Sequence, residues 1–251
     1  MAAKHHEVED VLTKITKKME KFISKYLRVI IISVTVIIVG LATYFSLDYI
    51  FKNQEAKANS AFGKVYLVYE DINNNEDIEE EELNEKLLGL NDEFKAVMDE
   101  YPKSSAASKS SFFIGNTFYR VKRYNEAIEY YKKGYNNELK SRRSESRELR
   151  FLKLKSLSKS YIALLSLQGE ASCYEQLEDY EKAEKLYREI IDHFDESFII
   201  PLIKYNLGQL YEKQDNFEMA NREYSQIVTD YEWSSWKDLA EKRLLLIKNF
   251  I

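Results

Sequence analysis

Apolar and polar positions along the chain separate into three regimes. Residues 29–45 are almost wholly apolar: Ser33, Thr35, Gly40 and Thr43 are the mild members, and no charge falls among them. Residues 9–27 alternate in another way, with Val11, Leu12, Ile15, Met19, Phe22 and Ile23 at helical spacing and Lys14, Lys17, Lys18 and Lys21 between them. From residue 53 onward apolar positions recur every three to four residues, in stretches of helix length separated by short polar breaks. The spacing predicts helices over 53–71 and 82–101, joined by an acidic connector at 73–81, then three further helix pairs, then one last amphipathic helix.

The three central pairs share one internal pattern. Ile114-Gly115-x-x-Phe118 is followed by Tyr124-x-x-Ala127-x-x-x-Tyr131-x-x-Gly134. Ala171-x-x-Tyr174 is followed by Tyr180-x-x-Ala183-x-x-x-Tyr187-x-x-Ile190. Leu207-Gly208-x-x-Tyr211 is followed by Phe217-x-x-Ala220-x-x-x-Tyr224-x-x-Ile227. From Gly115, Ala171 or Gly208 to the matching alanine is 12 residues each time. A constant internal spacing marks one supersecondary unit copied in series. Small residues at matched depth let two antiparallel helices approach, and the aromatics three or four residues away fill the space beside them. Each pair then exposes an apolar side that its neighbour must cover, which predicts a stacked array with a concave inner face.

This pattern resembles the tetratricopeptide repeat (TPR), well over about 106–250 and loosely over 54–102. The resemblance implies an all-α fold, a TPR-like α-solenoid with a C-terminal capping helix, and the apolar run before it is expected to be an N-terminal transmembrane helix. Units fall at about 106–139, 161–195 and 200–232, after a degenerate first pair within 50–105. Departures are plain. No tryptophan opens a unit, since Ser111, Leu167 and Lys204 stand there. Ala127 to Ala183 is 56 residues and Ala183 to Ala220 is 37, against a TPR period of about 34. The excess lies within 136–160, a charged, helix-prone insertion read as an N-terminal extension of the next helix. Trp233, Trp236, Ala240, Leu244 and Ile247 form the apolar face of the cap over 233–251, opposite Lys237, Glu241, Lys242 and Lys248. Tyr101-Pro102 and the small residues after it resemble the inter-repeat linker of bacterial envelope TPR proteins.

With its flanks, the apolar run reaches 26–49, the length that crosses a hydrocarbon core of ~30 Å. Tyr26, Tyr44 and Tyr49 stand at its boundaries, where amphipathic rings are favoured. The run is too long, and the 28 residues before it too many, for an ordinary cleaved leader, so it reads as an uncleaved signal anchor. Lys14, Lys17, Lys18, Lys21, Lys25 and Arg28 precede it. Residues 48–83 carry ten acids and three lysines. That asymmetry predicts a cytoplasmic segment 1–25 and repeats on the far side, the periplasm in a bacterium. An N-anchored organelle import receptor would instead keep its repeats in the cytosol. For 9–27 two readings stand open: a helix lying on anionic lipid or binding a partner, or an extension of the membrane helix that carries orienting charges.

Composition narrows the classes. The chain has 251 residues and a formal charge of −5, with 7 glycines and 2 prolines, too little turn chemistry for a β-rich fold. An acidic repeat domain argues against nucleic acid. Cys173 is the only cysteine, so no intramolecular disulfide forms, and it reads as a buried small hydrophobe. His5, His6 and His193 share no metal-ligand spacing with cysteine or carboxylates, and the acidic run 79–82 reads as solvated. No phosphate loop, nucleophile elbow or Ser/His/Asp set can be assembled. The expectation is therefore no enzyme, no metal, no cofactor and no small-molecule substrate.

In the TPR register the concave surface is lined by exposed first-helix positions. These are Lys109, Phe112, Asn116, Tyr119 and Arg120; Leu165, Gln168, Ser172, Glu175 and Gln176; and Leu202, Tyr205, Gln209, Glu212 and Lys213. TPR domains that hold a chaperone's C-terminal carboxylate pair a lysine with an asparagine one turn away. Here Asn116 is present but Phe112 replaces the lysine, so that clamp is not expected. An aromatic and polar peptide groove is one reading of Phe112, Tyr119 and Tyr205; packing on neighbouring helices is the other.

The order of basic N-terminus, single span and repeats resembles the bacterial ancillary translocon-subunit family. This implies an inner-membrane interaction protein whose repeats bind a periplasmic or envelope protein, beside the secretion channel. Two alternatives are kept. One is a dedicated scaffold for a single cell-envelope or cell-wall-associated protein. The other is a regulator signalling through the cytoplasmic segment.

Overall fold

A computed structural model of the chain describes residues 2–141, 160–195 and 197–250. Among them are ten α-helices and no strand. They are α1 (Ala2–Asn73), α2 (Glu80–Gly89), α3 (Asn91–Glu100), α4 (Ser105–Arg120), α5 (Tyr124–Ser141), α6 (Tyr161–Gln176), α7 (Tyr180–His193), α8 (Ile200–Lys213), α9 (Phe217–Asp230) and α10 (Trp236–Ile247). A 3-10 turn, Lys248–Phe250, follows α10. The chain divides into two units, Met1–Asn53 and Gln54–Ile251.

The first unit is helix throughout its described length. Its large apolar side chains, from Ile15 to Ile50, are exposed wherever they are described. A helix this long and apolar meets the length and composition needed to cross a membrane. Two of its polar members bond within the helix: the Thr35 and Thr43 hydroxyls donate to the carbonyls of Ile31 and Val39, both at 2.8 Å.

The second unit is an α-solenoid in which consecutive helices pack antiparallel, α4 on α5, α5 on α6, and so on to α10. The helix expected over 82–101 is two helices, α2 and α3, separated at Leu90. Gly89, the weakest helix former in that stretch, is where the helix gives way. The end of α1 is held by an aromatic cluster. Phe62, Phe94 and Phe113 lie with ring centroids 5.8–5.9 Å apart, and Tyr69 meets Phe113 at 5.0 Å. Glu55 caps α4, accepting from the Ser105 backbone N–H at 3.1 Å. The helical insertion expected over 136–160 lies outside the described residues, except for its first turn and Ser160.

Each central pair closes through the same turn. Lys122, Glu178 and Asp215 have φ of 61°, 59° and 55°. The next residue in each case, Arg123, Asp179 or Asn216, donates its N–H to a carbonyl five residues back at 2.9 Å. This is the Schellman ending, in which one left-handed residue reverses the chain. The second helices then start at Tyr124, Tyr180 and Phe217, with Asp179 and Asn216 as side-chain caps.

The turns between units also repeat. The N–H groups of Ser104, Ser197 and Ser234 donate to Tyr101, Phe194 and Tyr231 at 2.8–3.0 Å. Eleven residues after Ser104, Ser160, Ser197 and Ser234 stand Gly115, Ala171, Gly208 and Leu245. α10 is therefore a first helix by register, and its small-residue position is filled by the exposed Leu245.

The small residues do something more specific than let backbones approach. A Cβ on Gly208 would sit 2.5 Å from the Tyr224 ring, and one on Gly115 would sit 2.8 Å from Tyr131. Each missing side chain is occupied by the tyrosine one turn beyond the alanine of the second helix. Tyr187 and Tyr224 are fully buried, and Tyr131 nearly so.

Two stability changes follow. Glu178→Gly relieves an exposed left-handed residue and should stabilise the second unit by about 0.5–1 kcal/mol. Gly208→Val drives two methyls into the Tyr224 ring and should destabilise it by about 1–3 kcal/mol. Thermal melts of the detergent-solubilised chain followed by circular dichroism read both shifts.

Candidate partner-binding face

The side chains expected to line the inner face fall into two groups. The first group is taken up by the solenoid itself. The buried tyrosine hydroxyls must find acceptors, and first-helix residues of the same pair supply them. Tyr131 donates to Asn116 at 2.8 Å, Tyr187 donates to Glu175, and Tyr224 donates to Glu212 at 2.6 Å. Each glutamate also reaches the next unit. Lys213 of α8 pairs with Glu175 of α6 at 2.9 Å, and Arg243 of α10 holds Glu212 through two nitrogens, Nε at 2.9 Å. A tyrosine hydroxyl, a carboxylate and a cation from the following first helix thus form a repeated three-part link. Burial pushes the hydroxyls of Tyr131, Tyr187 and Tyr224 well above the usual phenol range.

Other residues of this group pack or bond locally. Tyr205 lies 5.5 Å from the Tyr224 ring and 5.2 Å from Trp236. Lys109 donates to Asn59 at 3.0 Å and sits over the Phe62 ring. Arg120 donates to Asn84 at 2.9 Å. Gln209 is half-buried on α8.

The second group meets in one groove between α4 and α6, of about 250 Å³. Phe112, Asn116 and Tyr119 form one wall, and Leu165, Gln168 and Ser172 form the other. Tyr131 and Gly169 complete the lining. Phe112 leans on Tyr131 with centroids 5.9 Å apart, and Tyr119 meets Tyr124 at 5.5 Å. Both of these aromatics therefore pack on neighbours and still line open space. None of the eight lining residues carries a charge. A wider depression along α7, from Glu181 to His193, is lined by charged residues of that single helix.

Gly169 does not stand out in the sequence, yet the groove depends on it. A Cβ there would lie 2.5 Å from the Tyr131 ring. Tyr131 is thus wedged between Gly115 of its own pair and Gly169 of the next. One signal could have found it: a glycine inside a helix costs about 1 kcal/mol against alanine, so one kept there has a packing reason.

Among the described residues no three of His, Cys, Asp and Glu gather closely enough to hold a metal. Cys173 is fully buried, and burial pushes its thiol up to about 12.

An α-solenoid of helix pairs with an open groove defines a class of protein-interaction scaffold, typically without catalytic activity. A sequence profile of the tetratricopeptide repeat matches residues 108–137 and 166–192, so the α4–α5 and α6–α7 pairs are TPRs and the chain carries a protein–protein interaction module. The α8–α9 pair lies outside that match but repeats the same turn, glycine and tyrosine. Among solved structures, a thermophilic TPR protein from Thermus thermophilus is similar at 16% identity, over 75% of this chain and 99% of that one, with a TM-score of 0.33. No curated protein matches the chain.

The titration behaviour can be checked. Burial also raises the Tyr135 hydroxyl to about 12. In the unfolded chain a thiol and a phenol ionise near ~8.5 and ~10. The folded state keeps both protons where the unfolded state has lost them. Their contribution to stability is complete below those unfolded values and is lost as pH rises towards about 12. The melting temperature should therefore fall steadily above about pH 9. Cys173 should resist iodoacetamide in the native chain and react once the chain is denatured.

Proposed function

We propose that this chain is a membrane-anchored interaction protein whose α4–α6 groove holds a neutral, partly apolar segment of an envelope protein. The absence of charge from the groove lining carries the reading. Phe112, Tyr119 and Leu165 supply apolar contact, while Asn116, Gln168 and Ser172 offer amide and hydroxyl groups to a peptide backbone. A neutral lining favours an uncharged ligand, because a charged one would lose hydration without a partner.

Residues 26–49 serve as the anchor in this reading. Lysines and Arg28 before the span and the acids after it favour a cytoplasmic N-terminus, with the repeats in the periplasm. The arrangement fits a position beside the secretion channel, where partly unfolded exported chains present such segments.

The test is in-cell crosslinking and pull-down with the full-length chain and a Phe112→Ala/Gln168→Ala variant. Channel subunits or several exported proteins, recovered about tenfold less with the variant, are the expected result. One dominant envelope partner, equally sensitive to the variant, marks a dedicated scaffold instead. Undiminished capture by the variant overturns the groove. An alkaline phosphatase fused after residue 251 should be active outside the cytoplasm; an inactive fusion reverses the topology.

A further inference from the structure

Residues 13–29 of α1 carry an apolar stripe that the interaction role does not use. Ile15, Met19, Phe22, Tyr26 and Val29 are spaced alternately four and three residues apart, the seam of a heptad repeat. All five are exposed, Met19 by 56% and Phe22 by 61%. Phe22 and Tyr26 meet along the stripe with ring centroids 4.8 Å apart and planes tilted by 48°. The charged residues of this stretch, Lys14, Lys17, Lys18, Glu20, Lys21, Lys25 and Arg28, all lie off the seam. Ile15, Met19, Phe22 and Ile23, with the Lys18 stem, border an open apolar depression of about 480 Å³ on this face.

Two surfaces could cover such a stripe, lipid or another helix, and the continuity of α1 decides between them. The helix has no break between the stripe and the apolar run. A helix that crosses the bilayer therefore carries the stripe out along its own axis. Ile15 precedes Tyr26, at the edge of the span, by 11 residues, or about 16 Å of helix. Lipid cannot follow it there. A second copy of the chain can, because anchoring in the same membrane sets two copies parallel and in register. The same register enters the span through Ser33, Val36, Gly40 and Thr43, of which Ser33, Gly40 and Thr43 are small enough to let a neighbouring helix approach, although no Gly-x-x-x-Gly pair is present.

We propose that residues 15–29 form a parallel two-helix coiled coil with a second copy of this chain, on the side of the membrane opposite the repeats. The proposal rests on the reading of 26–49 as a span, and the test separates the two. Single cysteines are placed in the full-length Cys173→Ala chain at seam positions 15, 19, 22 and 26, and at outward positions 17, 21 and 24. Native membranes are oxidised with copper phenanthroline, and the same samples are extracted with alkaline carbonate.

The expected result is a disulfide-linked band at twice the 29.7 kDa monomer for the seam positions only, in a carbonate-resistant pellet. Adding Met19→Glu to the Phe22→Cys chain should abolish that band and leave pelleting unchanged. Bands at every position, or at none, with normal pelleting overturn the coiled coil and leave the span standing. Seam cysteines that stay monomeric but are shielded from a water-soluble maleimide make lipid the occupant and also overturn it. Release of the chain by carbonate removes the span, and the proposal falls with it.

Discussion

A tyrosine ring seated in the space of a missing side chain sets the geometry of the repeat array. Tyr131 occupies the gap at Gly115, and Tyr224 the gap at Gly208. A large flat ring fixes both the distance and the rotation of the two helices, because it fills the site in one orientation and tolerates little else. Its hydroxyl then requires an acceptor within the pair, which Asn116, Glu175 and Glu212 provide. In the last two pairs the acceptor is a carboxylate, and a buried-side carboxylate calls for a cation. Lys213 and Arg243 come from the following first helix. One packing event within a pair thereby becomes a polar tie between pairs.

The first unit of the series breaks this chain of consequences, and the groove lies where it breaks. Tyr119 stands on α4 where Glu175 and Glu212 stand on α6 and α8. Tyr131 turns to Asn116 instead, an acceptor with no charge to attract a cation from α6. Gly169 brings α6 against the Tyr131 ring without filling the space above it. The result is a neutral opening lined by aromatic and amide groups, at the boundary where the carboxylate of the repeated link is replaced. The residues that depart from the repeated link are the ones that line this opening.

Much of this was legible from residue order. The 12-residue spacing implied helix pairs, and Tyr124, Tyr180 and Phe217 open the second helices as expected. The aromatic-x-x-Ser turns at Tyr101, Phe194 and Tyr231 are equally regular in the sequence, but only Tyr101-Pro102 draws notice there, through its proline. Glu175, Glu212 and Lys213 illustrate the limit. Polar, at exposed-looking register positions, they resembled ligand contacts, whereas each is bonded to a residue on another helix. Tyr205 is similar, packed between Tyr224 and Trp236.

The sequence by itself determined the elements: helical periodicity, a small residue at fixed distance from an alanine and an aromatic, and an apolar run long enough to cross a membrane. Those properties are local, since each is read within one helix or one helix pair of consecutive residues. The tertiary structure alone decided which polar side chains remain available. That depends on contacts such as Lys213 with Glu175 and Gly169 with Tyr131, made by residues 38 positions apart in both cases, and no periodicity along the chain encodes such a meeting.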